Sequence, residues 1–240
     1  MGWARGCILI PLVVAATGCD DVFGLNRDDA ANATGAPVSW VKPFAQRHLN
    51  AGGVDTFSAQ AGAGDAIVLQ VACAGALTPS AVAVSAPGWT FTLLEPLLHV
   101  PGLSMWGATL GAIAPDSKQT TVTVSWTGSD CAFGIVAIGD EFANNDPRGG
   151  AVTFDGHVQT QGDGDCNGTV QTRTAGDAVW GACSANPVLD LGPGYTAGAD
   201  DNAGDQTEYK LTSDPAGTSE GVTFVAASSF LLSAVTIAPR

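Results

Sequence analysis

Asp163-Gly164-Asp165-Cys166-Asn167-Gly168 places oxygen-bearing side chains at alternate positions, the way a calcium-binding loop begins. Such a loop closes its shell with a bidentate Glu at the twelfth position, where this chain has Thr174. Asp163, Asp165 and Asn167 would ligate calcium only if backbone carbonyls and waters completed the shell. Otherwise the segment is an acidic turn, since Asp, Asn and Gly are ordinary turn formers. The turn reading is the one adopted, and it extends to GADDNAGD at 198–205. No metal and no cofactor is expected.

Gly217-Thr218-Ser219-Glu220-Gly221 matches G-x-S-x-G, the nucleophile elbow of hydrolases. The elbow needs a strand before it, a helix after it and a later histidine. Here a Pro-Gly loop precedes it, the strand-like VTFVAAS follows, and no histidine occurs after His157. His48, His99 and His157 are far apart and share no ligand spacing. Carboxylates are numerous, and a glycosidase pair is defined by spatial separation alone, so the sequence singles out none. No catalytic residue is assigned. Trp40, Trp89, Trp106, Trp126 and Trp180 each lie in an apolar or alternating run. They read as core residues rather than an exposed sugar-stacking row.

The elements that would position these residues are strands. From Pro37 onward, turn clusters interrupt apolar runs at the short intervals of an all-β domain. QTTVTVSW (119–126), GWTFTLL (88–94) and EYKLT (208–212) alternate, while DAIVLQVAC (65–73) and CAFGIVAIG (131–139) are continuously apolar and read as central strands buried on both faces. SSFLLSAVTIAP reads as a closing strand. AGDAIVLQVAC (63–73) and AGDAVWGAC (175–183) echo each other. Either two half-sandwiches are related by pseudo-symmetry, or the same Gly-Asp turn chemistry is used twice; the second reading is preferred. The expectation is an all-β fold, a single antiparallel β-sandwich over residues 37–240.

At the N-terminus Arg5 precedes an apolar run from Cys7 to Ala16, too short to cross a bilayer. A charged start, a short apolar run and a small-residue exit make a secretory signal. The exit, Ala16-Thr17-Gly18-Cys19, resembles the lipobox of bacterial lipoproteins, although Ala16 stands where that family usually has Leu. The resemblance implies cleavage after Gly18, diacylglycerol on the Cys19 thiol and acylation of its new amine. Residues 1–18 are then the signal peptide and 19–36 a lipid-anchored flexible tether. Three acyl chains anchor firmly, whereas one binds marginally. An ordinary signal would instead leave Cys19 a free thiol.

With Cys7 removed and Cys19 lipidated, four cysteines remain, an even number that in an exported chain argues for disulfides. No C-x-x-C pair suggests zinc. Cys73 ends one central strand and Cys131 begins another, while Cys166 and Cys183 flank what reads as a hairpin turning near Ala175-Gly176. The expected bridges are Cys73–Cys131 and Cys166–Cys183. Because Cys73 and Cys183 sit at equivalent places in the echo, a swapped pairing stays open. Without residues 1–18, eight Lys/Arg face 23 Asp/Glu, a net charge of −15. Such a surface is a poor partner for nucleic acid, which needs a basic footprint.

AGDAIVLQVA, TTVTVSW, IVAIGDEFANNDP, TAGDAVW and FLLSAVTIAP together resemble a family of secreted bacterial jelly-roll-like β-sandwich domains, over nearly all of residues 50–240. That family has no uniform ligand, so the resemblance implies a fold and an exported location. The functional expectation is a non-catalytic lipoprotein of the cell envelope, held by the inner or outer membrane, binding a glycan or an envelope protein. The alternatives are a carboxylate-dependent hydrolase and a structural subunit of an envelope assembly.

Overall fold

A computed structural model of the chain describes residues 38–240 apart from 49, 76–77, 129, 145–151, 174, 186 and 240. Cys19, the signal (1–18), the tether (19–36) and Thr174 lie outside the described residues. Sixteen strands are described, and the one helical piece among the described residues is a 3-10 turn at Pro101–Leu103.

The first eight strands are β1 (Val38–His48), β2 (Val54–Ala59), β3 (Ala66–Ala74), β4 (Ala81–Ser85), β5 (Phe91–Val100), β6 (Met105–Ile113), β7 (Thr120–Thr127) and β8 (Gly134–Asn144). They form a five-stranded antiparallel sheet, β1-β8-β3-β6-β5, and a three-stranded one, β2-β7-β4. Apart from the β5–β6 hairpin, each connection crosses between the two sheets, as in a jelly roll. The next eight are β9 (Val152–Asp163), β10 (Cys166–Gln171), β11 (Ala178–Ala185), β12 (Val188–Asp190), β13 (Thr196–Asp200), β14 (Asp205–Leu211), β15 (Ser219–Ala226) and β16 (Ser229–Pro239). Their sheets are β9-β16-β11-β14-β13 and β10-β15-β12. Adding eight to each strand number of the first half reproduces the second. The antiparallel β-sandwich expected from the sequence is therefore built twice, within one compact unit, Thr34–Arg240.

Three cores hold the layers together. Ile67, Leu69, Val122, Val124 and Trp126 pack between the sheets of the first half. Cys166, Val179, Val222, Phe224 and Leu232 do so in the second. Val68, Ile138 and Phe142 meet Trp180, Leu231 and Val235 where the two five-stranded sheets lie face to face. Strand β3 is consequently buried along nearly its whole length, with a sheet on either side. Each fully buried side chain of this size contributes about 1.5–3 kcal/mol. The outer strands alternate instead: β7 buries Val122, Val124 and Trp126 and turns Thr121, Thr123 and Thr127 outward.

Prolines fall where a ladder tolerates a missing N–H. Pro43 in β1 and Pro96 in β5 both lie on edge strands, each beside a register shift. Duplication also corrects the preferred reading of the echo between 63–73 and 175–183: it marks β3 and β11, equivalent strands of two halves, rather than turn chemistry alone.

The disulfides are Cys73–Cys131 and Cys166–Cys183, with Cα separations of 5.0 and 6.4 Å. Cys131 leads into β8, the neighbour of β3, so the first bridge joins adjacent strands. The second is not the end of a hairpin, as the sequence reading supposed. Strand β10 pairs with β15 and β11 with β14 and β16, so this bridge ties one sheet of the second half to the other.

Candidate functional site

The connection between β4 and β5 turns at Pro87-Gly88-Trp89, with the Trp89 N–H donating to the Ala86 carbonyl at 3.1 Å. Gly88 has φ +80°, a conformation that excludes most side chains. The turn lays Trp89 against Phe91 and Phe44, at centroid separations of 5.9 and 5.8 Å, with the residue 8% exposed. Opposite it runs the β6–β7 loop. There the Asp116 carboxylate accepts the Lys118 N–H at 3.1 Å, an Asx turn, and pairs with the Lys118 ammonium at 3.7 Å. Two glutamines fix this loop to β2: Gln60 donates to the Ser117 carbonyl at 2.8 Å and Gln119 to Ser58 Oγ at 2.7 Å. Between turn and loop lies an open cleft of about 630 Å³, lined by Trp89, Asp116, Lys118, Gln119, Ser58 and Thr121 among others. An aromatic floor with a few converging polar groups is the make-up of a small-ligand site.

The second half builds the same turn for another purpose. Pro193-Gly194-Tyr195 repeats it, with Gly194 at φ +83° and the Tyr195 N–H donating to the Gly192 carbonyl at 3.2 Å. Here the aromatic group covers buried carboxylates. Glu208 is fully buried and accepts the N–H groups of Gly192 (2.8 Å) and Thr223 (3.3 Å). Burial lifts its pKa to about 7 against the pull of those two donors. Burial, with the Glu208 and Glu220 charges, also raises the Tyr195 phenol, whose hydroxyl has no hydrogen-bond partner among the described residues. Glu220 is held by Lys210 at 2.8 Å.

A second closed cluster lies under the AGD turn of the first half. Glu141 accepts the Gly62 N–H at 2.7 Å and lies 3.5 Å from Lys42. Asp65 is raised to about 6 by burial and then by the Glu141 beside it.

The sequence-derived candidates are dispersed. Asp163 accepts the Ser229 hydroxyl, Asp165 accepts the Ala226 N–H at 3.3 Å, and Asn167 donates to the Asp165 carbonyl at 3.1 Å. These groups stitch the β9–β10 turn to the start of β16. Among the described residues no group of three or more His, Cys, Asp or Glu is arranged to hold a metal ion. In the second acidic loop Asp201 accepts the N–H groups of Ala203 and Asp205, at 2.8 and 3.1 Å. Asp205 is raised well above the usual range by burial and then by Asp201. Ser219 opens β15 instead of sitting on an elbow. His157 pairs with Glu95 at 2.7 Å, and His99 stacks on Trp106 at 4.6 Å. Trp89, Trp126 and Trp180 are buried, and Trp40 and Trp106 partly so.

Sequence reasoning missed the polar residues of the cleft, which stand in a loop without period. The signal that could have pointed there is Pro-Gly-aromatic-Thr, at 87–90 and again at 193–196. Comparison with known families, curated proteins and solved structures finds no match.

Proposed function

We propose that the protein is a non-catalytic, lipid-anchored component of the cell envelope that binds carbohydrate in the Trp89 cleft. One observation carries the reading: an aromatic ring and the polar side chains of Asp116, Gln119 and Ser58 converge on one open cleft of saccharide size. Two disulfides suit an oxidising compartment. The anchor rests on Cys19 and its lipobox-like setting. Cys19→Ser is expected to abolish lipid labelling and release the protein from membranes; retention after a high-salt wash would count against the anchor. For the cleft, a glycan array probed with the full-length protein is expected to give saccharide hits that Asp116→Ala and Gln119→Ala weaken by roughly tenfold. Each substitution removes about one charge-assisted or neutral hydrogen bond. Unchanged binding in both variants would place the ligand elsewhere.

A second reading, a hydrolase, is favoured by the Asp201–Asp205 pair, of which Asp205 borders a cavity of about 410 Å³. Asp201 Oδ1 is engaged by two of the loop's own N–H groups and Asp205 by Ser184, which suits a turn better than a catalytic dyad. Release of reducing ends from a glycan, lost in Asp205→Asn, would favour it over simple binding.

A further inference from the structure

The cleft does not end at its rim. Ser58 and Thr121, which line it, are cross-strand partners on β2 and β7, and their side chains lie on the outer face of the β2-β7-β4 sheet. The next row on that face is Thr56, Thr123 and Ser85, and the one beyond sets Ser125 between Val54 and Ala83. Inward positions bury Phe57, Val122, Val124 and Trp126, so the alternation fixes these hydroxyls toward solvent. No outward position of the three strands carries a charge, on a chain whose net charge is −14. Rows repeat every ~6.6–6.8 Å along a strand and ~4.8 Å across it, so the two rows nearest the cleft form a strip of small hydroxyl groups.

Resting on the carbohydrate reading of the cleft, we infer that this face extends it into a platform for a neutral, linear polysaccharide lying along β7. Charge selects the class. A polyanionic glycan would approach a strongly acidic molecule, and Lys118, the cation lining the cleft among the described residues, is paired with Asp116. A neutral glycan needs no counter-charge, and its hydroxyls can both donate to and accept from threonine and serine. Each such bond contributes only about 0.5–1.5 kcal/mol net. Affinity on the platform therefore accumulates with chain length instead of residing in one contact.

The test is a titration of the full-length protein with cello-, laminari- and manno-oligosaccharides from disaccharide to octasaccharide, and with polygalacturonate as the anionic probe. At least one neutral series should tighten by about tenfold between trisaccharide and octasaccharide, the sum of a few such bonds. Thr123→Lys should abolish that gain while leaving trisaccharide affinity unchanged, and Thr56→Lys should do the same. Thr169→Lys, an equally charged change on an outward position of the second half, should leave both unchanged. Affinity that stops rising at the trisaccharide, or Thr123→Lys and Thr56→Lys variants that keep the gain at unchanged Tm, would overturn the platform and leave the cleft standing. Preference for polygalacturonate would overturn the neutral class alone. Absence of binding by every saccharide would remove both cleft and platform.

Discussion

At Asp140 a fully buried carboxylate accepts the indole N–H groups of Trp40 and Trp180, at 2.9 and 2.8 Å, and the Thr207 hydroxyl. Its pKa is raised by burial despite those donors. The group joins the two halves, because Trp40 belongs to β1 while Trp180 and Thr207 belong to β11 and β14. Asp140→Asn would turn an amide N–H toward one of the donors, so a loss of about 1–3 kcal/mol in urea unfolding is expected. An unchanged midpoint would mean that the donors re-pair. Gly198 stands against the same carboxylate, and an added Cβ would lie 2.6 Å from one of its oxygens. Gly198→Ala should cost about 1–3 kcal/mol, by the same measurement. Neither contact was legible in the sequence, because the partners lie 40 to 100 positions apart and share no motif. The cleft was hidden for a different reason. Trp89 reads as core, and it is largely buried; what makes it a floor is the fold of the β6–β7 loop.

Among the elements, strands were readable where one face meets water and misleading where neither does. QTTVTVSW alternates and forms β7, an outer strand. DAIVLQVAC is apolar throughout because β3 belongs to an inner layer, and two layers alone could not bury both its faces. That run already implied more than one sandwich. The hairpin inferred around 166–183 failed because a jelly roll sends successive strands to opposite sheets, so sequence neighbours are not ladder partners. The bridges differ in the loops they close, with sequence separations of 58 and 17. By loop-closure entropy the longer should contribute about 4 kcal/mol and the shorter about 3. The Cys73→Ala/Cys131→Ala pair is therefore expected to lower the urea midpoint more than Cys166→Ala/Cys183→Ala. The reverse order would show that the inter-sheet tie matters more than chain entropy.

The whole molecule carries raised carboxyls in both halves. Asp65 moves from 3.8 to about 6 and Glu208 from 4.5 to about 7. Between these limits the folded chain holds protons that the unfolded chain has released, so stability is greatest on the acid side and falls as pH rises toward 7. Glu208 alone accounts for on the order of 3 kcal/mol across its window. Melting temperature should be higher near pH 5 than near pH 8, and Glu208→Gln should flatten the slope. A protein most stable above pH 7 would show that these carboxyls ionise freely. Lower net charge at acid pH acts in the same direction by easing self-repulsion. Hydrogen exchange reports where a ligand sits on this doubled sandwich. With a saccharide identified on the array, the full-length protein should gain protection in residues 86–90 and 114–121, which form the turn and loop of the cleft. Protection confined to residues 200–206 would contradict the account and move the site to the Asp201–Asp205 loop.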